Sequence, residues 1–276
     1  MSLNDYAAHY ASLLARHYTW MFGLSWDEKV TEQRTILEPL LATDPHHPAP
    51  RGLAVDLGSG PGFQSIALAQ LGFAPVLALD TSTELLAELA SHAAGQPINP
   101  IAADILTLSD HVAPATAAVI VCMGDTLTHL PDQSAVRRLF SLAAAALAPG
   151  ARFILTWRDL TPELAGPRRF IPVRADSDTI LTCFLEYTSP TTVQIHDLVY
   201  TRNPVPNPAP NPAPSPAPSA AAGPTPNGTA WTLATSSYPK LRLSPLWVAA
   251  ELTAAGLTTQ PPATAGRLSL AIAQKP

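Results

Sequence analysis

From Arg51 onward, apolar runs of strand length alternate with stretches whose apolar residues recur at helical spacing. Runs at 52–57, 75–79, 98–102, 118–123 and 152–157 read as buried strands. Between them, Phe63, Ile66, Ala67 and Leu71 share one helical face that Gly72 is placed to end. A second helix carries Leu85, Leu86, Leu89 and Ala93 on its inner stripe. It opens on Thr81-Ser82-Thr83-Glu84, the spacing at which a hydroxyl and a carboxylate satisfy two orphan amides. A third follows Asp132, with Val136, Leu139, Phe140, Ala143 and Leu147 inward and Pro149-Gly150 as its stop. This alternation predicts an α/β fold, a doubly wound and mostly parallel seven-stranded sheet with helices on both faces.

The pattern then changes. Segments 170–173, 179–187 and 192–201 are β-rich with no helix between them, which predicts an inserted antiparallel sheet. Proline recurs at nearly every second position over 203–218. That removes backbone donors and favours extended polyproline II or no fixed structure, so 203–228 reads as a low-complexity spacer in a surface hairpin between Tyr200 and Trp231. Helical spacing returns after Ser244-Pro245, with Val248, Leu252 and Ala255 inward and Gly256 as the stop, and 257–259 and 267–273 read as closing strands. In the first fifty residues Tyr10, Leu13, Leu14, His17 and Tyr18 lie at helical spacing. Trp20-Met21-Phe22-Gly23 follows, then a second helix through Ile36 and Leu37 that Pro39 ends or kinks. The expected organisation is a helical cap at 1–50, a core at 51–160 and 241–276, and the insertion at 161–240.

Composition narrows the function classes. The 276 residues are 47% hydrophobic, enough for a sizeable core, and 13% charged, with a net charge of -5 and no basic run longer than Arg168-Arg169. A protein that tracks nucleic-acid phosphates would carry a basic face, so no nucleic-acid partner is expected. The two cysteines, Cys122 and Cys183, lie far apart among apolar neighbours and read as buried thiols. The first ten residues lack a basic head and an apolar stretch, and no apolar run reaches membrane-spanning length. A cytoplasmic location, no membrane partner, and a possible homodimer through the inserted sheet are the expectations.

The chemistry concentrates in Val-Asp-Leu-Gly-Ser-Gly-Pro-Gly at 55–62, where a strand runs into glycines that let bare backbone approach a ligand. The dinucleotide fingerprint is Gly-x-Gly-x-x-Gly, whereas the spacing here is Gly-x-Gly-x-Gly with Asp56 two residues ahead, which favours a nucleoside other than NAD. The stretch resembles motif I of the class I S-adenosylmethionine-dependent methyltransferases, and the resemblance runs through the alternation from about 51 to 157 and resumes at 241. It implies that S-adenosyl-L-methionine is the cofactor and that Asp56, Gly58, Ser59, Gly60 and Gly62 surround it. In such enzymes an acid at the end of the second strand holds both ribose hydroxyls, here Asp80 with Thr81 beside it. One after the third strand contacts the adenine amino group, here Asp104 with Ile105, and Met123 and Gly124 complete the set. Radical use of that cofactor is excluded, because two distant cysteines cannot hold the iron–sulfur cluster it needs.

The segment after the fourth strand, Cys122 to Leu130, faces the same cleft. More loosely, it resembles a short polar segment ending in His in glycine and sugar-amine N-methylating enzymes. His129 is the candidate catalytic base, its plainer alternative being a histidine that fixes the loop. Asp125 reads as a helix cap or a substrate contact, and Arg158 and Asp159, at the cleft mouth, as an ion pair on the rim, with Arg158 and His129 also counted in the substrate set. His196 and Asp197 are successive residues of a strand, so at most one points to the cleft, and His196 is carried as the substrate candidate. Tyr18 and Met21 join the substrate set, while Trp20 and Phe22 close over the sulfonium or pack in the core. The resulting expectation is methyl transfer to N or O of a small-molecule acceptor by in-line displacement, with no metal. The alternatives are a non-catalytic binding module on the same pocket and a dinucleotide oxidoreductase.

Overall fold

A computed structural model describes residues 18–41, 51–203 and 231–276. The helix expected through Tyr10, Leu13, Leu14 and His17 and the proline-rich tract after Asn203 lie outside the described residues.

The chain begins with α1 (Tyr18–Met21) and α2 (Trp26–Leu40), followed by β1 (Ala54–Leu57), α3 (Phe63–Gln70), β2 (Val76–Asp80), α4 (Thr83–His92) and β3 (Ile98–Ala102). Then come β4 (Ala117–Cys122), α5 (Gln133–Ala146) and β5 (Leu147–Trp157). The inserted sheet follows as β6 (Phe170–Ala175), β7 (Thr179–Glu186), β8 (Thr192–Arg202) and β9 (Trp231–Leu241). The chain closes with α6 (Pro245–Ala254), β10 (Thr258–Thr259), β11 (Ala263–Ala265) and β12 (Leu268–Gln274).

The main sheet runs β10-β12-β5-β4-β1-β2-β3, parallel from β3 to β5 and antiparallel at β12 and β10. The seven expected strands are joined by an eighth short one, β11, which folds antiparallel onto β12. Strand order reverses between β1 and β4, and their carboxyl ends therefore open the crevice in which such sheets hold ligands. One face is covered by α5 and α6, with Val136, Leu139, Phe140, Val248 and Leu252 packed on Val55, Leu57 and Trp157. The other is covered by α3 and α4 through Phe63, Ile66 and Leu89.

The helix α2 belongs to that second layer: Val30 and Leu37 are buried in the same cluster as Phe63 and Ile66. It is thus core rather than cap, and of the described N-terminal residues only α1 and its neighbour Phe22 reach the cleft. A capping box starts α2, with Ser25 Oγ accepting from Glu28 N at 3.3 Å and Glu28 Oε2 accepting from Ser25 N at 2.8 Å. At α4 the cap is Ser82, whose Oγ accepts from Leu85 N, and not the expected Thr81. Asp80 Oδ1 accepts from Ser82 N at 2.8 Å, which holds Thr81 outside the helix and turns it toward the cleft.

The four strands β6-β7-β8-β9 form a separate antiparallel sheet. Along β8, Val193, Ile195, Asp197 and Val199 face inward and the residues between them outward. Arg242 fastens this sheet to the core, donating to the carbonyls of Leu160, Ser189 and Thr161 at 3.1, 2.7 and 2.8 Å. Cys122 is buried, Cys183 partly so, and burial pushes both thiols up. Among the described residues no helix is long and apolar enough to cross a membrane.

Candidate functional site

A cavity of about 620 Å3 lies between the carboxyl ends of β1, β2, β4 and β5 and the inner face of the inserted sheet. At one end it is floored by Gly58 and Gly60 and flanked by Asp80 and Thr81. Gly58 has φ +72°, and a Cβ there would lie 2.3 Å from Thr126 Cγ2, so loop and turn are in backbone-close contact. Asp80 Oδ2 accepts from Gly60 N at 2.8 Å while Oδ1 holds Ser82 N. Burial pushes its carboxyl up, against the opposing pull of those amides. Tyr18 leans over this end, its ring 3.7 Å from where a Gly60 Cβ would be, and burial first, then Asp80 and Asp125, pushes its hydroxyl up.

Several expected donor residues do other work. Asp56 does not line the cavity; it is 1% exposed between β2 and β4 and accepts from Ser65 Oγ at 2.6 Å. Burial pushes its carboxyl up to about 7 in spite of that bond. The folded state therefore binds a proton more tightly than the unfolded chain between about pH 4 and 7, and stability falls as pH rises through that window. Asp56→Asn is expected to flatten this slope, which denaturant unfolding at pH 5, 6, 7 and 8 measures. Gly62, with φ +88°, starts α3, and a Cβ there would meet Leu89 Cδ1 at 2.1 Å, so it serves helix packing and not the cavity. Ser59 is buried, its Oγ without a hydrogen-bond partner among the described residues. Asp104 Oδ1 accepts from Leu106 N at 2.9 Å and caps the 3-10 turn Ile105–Asp110, and Ile105 is buried in the core; the cavity reaches neither. Met123 is buried beside the cavity, whereas Gly124 lines it and donates to Thr156 Oγ1 at 2.8 Å.

The middle of the cavity is the turn from Gly124 to His129. Asp125 Oδ1 accepts from Arg158 N at 3.0 Å and Thr128 Oγ1 at 3.1 Å, and its Oδ2 accepts from Lys240 Nζ. Burial alone would raise this carboxyl, but Lys240 first, then His129 and Arg158, hold it down at about 2. The ring of His129 stacks on Tyr238, centroids 5.4 Å apart. Asp159 lines the cavity with its Oδ1 held by Thr161 N at 2.9 Å and Thr161 Oγ1 at 2.5 Å. The expected rim pairing of Asp159 thus gives way to a local turn, and Arg158 serves Asp125 through its amide.

The far wall is the inner face of the inserted sheet: Ile171, Val173, Leu181, Leu185 and Ile195, with Cys183, Asp197, Tyr238 and Lys240 among them. Asp197, 1% exposed, accepts from Cys183 Sγ at 2.8 Å. His196 points the other way, because strand neighbours face opposite sides. It lies on the outer face between Glu186 Oε2 at 2.9 Å and Ser237 Oγ at 2.7 Å, so Asp197 replaces it at the cavity. Trp20 also turns away, donating from Nε1 to Asp176 Oδ2 at 2.7 Å, while Met21 and Phe22 line the cavity. Sequence reasoning missed Lys240, Tyr238 and Thr126. The two-residue period of β9 carries a signal for the first two, readable once the register Ile195↔Tyr238 and Val193↔Lys240 is known.

The family described as methyltransferase domain matches residues 54–150, from β1 into β5. The chain carries a methyltransferase domain. The matched domain is that of an enzyme. No characterised protein matches it by sequence. Among solved structures it is similar to the CcbJ methyltransferase from Streptomyces caelestis, at 18% identity over 97% of this chain and 98% of that one, TM-score 0.69. It is similar also to S-adenosylmethionine-bound CalS10, an amino pentose methyltransferase from Micromonospora echinaspora, at 15% identity over 95% and 97%, TM-score 0.63. The sugar N-methyltransferase KedS8 from Streptoalloteichus sp. matches at 14% over 96% and 92%, TM-score 0.62. At these identities the likeness is one of fold, and it covers nearly the whole chain.

Proposed function

We propose that the protein transfers the methyl group of S-adenosylmethionine to a nitrogen or oxygen of a small molecule held in the cavity, by in-line displacement. The observation that carries this reading is the continuity of the cavity. It runs from Gly58, Gly60 and Asp80, past Asp125 and His129, to the apolar wall of the inserted sheet. Its volume suits two small molecules in contact rather than a macromolecular strand. KedS8 is a sugar N-methyltransferase and CalS10 an amino pentose methyltransferase, which is consistent with a nitrogen acceptor here.

In this reading Asp80 accepts from the two ribose hydroxyls, and the bare backbone of Gly58 and Gly60 admits the donor without collision. Thr81 and Gly124 border it, and Tyr18, Met21 and Phe22 close over it. The donor supplies an electrophilic methyl on a sulfonium, attractive to the face of Tyr18. Residues 51–160 and 241–276 form the donor half, and the insertion forms the acceptor wall. The acceptor touches Tyr18, Met21, Asp125, His129, Arg158 and Asp197. An amine that enters as the free base needs orientation only, whereas a hydroxyl gains from proton removal by His129.

Thermal unfolding with S-adenosylmethionine, S-adenosylhomocysteine and NAD tests the donor. A hundredfold excess over the Kd of the right ligand stabilises by about 2.7 kcal/mol, a rise of roughly 5 to 10 °C for a chain of this size. That rise is expected for the two adenosyl compounds and not for NAD. Formation of S-adenosylhomocysteine across a panel of small amines and alcohols tests turnover, and cofactor binding without turnover on any of them would turn the reading toward a non-catalytic module. His129→Ala is expected to slow alcohol acceptors by on the order of 100- to 10,000-fold and to spare amines.

A further inference from the structure

The turn that separates donor and acceptor ends is gripped by the inserted sheet at two points on one face of β9. Lys240 Nζ donates to Asp125 Oδ2, and Tyr238, two residues earlier, stacks on His129. The grip passes further, because Thr126 of the same turn fills the space where Gly58 has no side chain and its Oγ1 reaches Gly58 O at 3.4 Å. Lys240 and Asp125 are 115 residues apart in sequence, and their side chains are 11% and 22% exposed. A pair this sheltered is screened far less than one on an open surface.

We propose that Lys240 is a positioning residue for methyl transfer: its ammonium locks the Gly124–His129 turn through Asp125, fixing where His129 stands in the cavity and joining the acceptor wall to the glycine loop. The inference rests on the function proposed above and adds to it a residue outside the methyltransferase domain. The charged and titratable groups that face Asp125 are Lys240 from β9, Arg158 from the end of β5, His129 from its own turn and Tyr18 from α1. With Lys240 present, Asp125 stays ionised through the neutral range and is too weak a base to take an acceptor's proton, which leaves that task to His129. Without Lys240 the carboxylate keeps its bonds from Arg158 N and Thr128 Oγ1 but loses its largest opposing charge. Its burial then acts less opposed, and its titration moves up.

The test compares full-length wild type, Lys240→Met and Lys240→Arg by carboxyl carbon NMR over pH 3 to 8, with Asp125→Asn assigning the signal, and by calorimetry of S-adenosylhomocysteine at pH 7. In wild type Asp125 is expected to stay ionised from pH 8 down to at least 4. In Lys240→Met its titration is expected to move up into the observed range, and affinity to fall about five- to tenfold, the scale of coupling between neighbouring groups. Lys240→Arg is expected to follow wild type in both. Lys240→Gln, which keeps most of the stem, replaces Lys240→Met if that variant does not fold. An Asp125 titration unmoved by loss of the charge overturns the proposal, as does an equal loss of affinity in the Arg and Met variants, which would assign the effect to packing of the stem. A wild type that binds no S-adenosylhomocysteine defeats the donor reading instead, and the carboxyl titration still decides the role of Lys240.

Discussion

Asp80→Ala is expected to weaken S-adenosylhomocysteine binding by on the order of a hundred- to a thousandfold while the protein stays folded. Two charge-assisted bonds to ribose hydroxyls are each worth about 1.5 to 3 kcal/mol, and the upper part of that sum is offset by water that solvates the gap. The variant also removes the acceptor for Gly60 N and Ser82 N, at 2.8 Å each, so the glycine loop and the start of α4 lose their common anchor. Asp80→Asn keeps the shape and one acceptor oxygen, and a loss of roughly tenfold is expected for it. Calorimetric titration gives both numbers, with melting curves to confirm folding. A loss below threefold in the alanine variant would take Asp80 out of the donor site. Because burial pushes the Asp80 carboxyl up, protonation of the free enzyme competes with the donor, and affinity is expected to start falling at a higher pH than an ordinary carboxylate would dictate.

The parts of this fold legible in the sequence are those set by short-range rules. The β1 to β5 alternation, the stop at Gly72, and the inserted antiparallel strands follow from periodicity and turn chemistry within a few residues, whereas the helix before β5 ends earlier than expected, at Ala146, with Leu147 and Pro149-Gly150 already in β5. The glycine loop and Asp80 were legible for the same reason, since the loop follows β1 directly and Asp80 ends β2. Asp56 and Gly62 sit in the same motif yet turn into the core. One is flanked by two strands and the other sits under Leu89, and neither neighbour is local. The acceptor wall was the least legible part. Alternation along β8 says that His196 and Asp197 face opposite ways, but not which face meets the cleft, because that depends on how the second sheet docks. Lys240 was invisible for the same reason, its partner lying on a different sheet.

The docking also explains why the donor loop tolerates so little change. Gly58→Ala is expected to lower stability by about 2 to 5 kcal/mol, combining left-handed backbone strain at φ +72° with overpacking against Thr126. For a chain of this size that is a fall in Tm of roughly 5 to 15 °C. Thr126→Gly in the same chain removes the overlapping atoms, so the double variant is expected to recover the overpacking part and keep about 1 kcal/mol of backbone strain. Melting of the two single variants and the double one closes that cycle, and purely additive losses would show that loop and turn are not in contact. Gly60 makes the contrast. Its φ of +52° is also left-handed, but a Cβ there meets nothing closer than Tyr18 Cε1 at 3.7 Å. Gly60→Ala is therefore expected to cost about 1 kcal/mol in stability. In the proposed function its methyl would stand against the donor, so the larger effect is expected on binding. Two glycines two positions apart thus carry different demands on the loop: at Gly58 a side chain is excluded by the docked turn as well as by the proposed donor, and at Gly60 by the proposed donor alone.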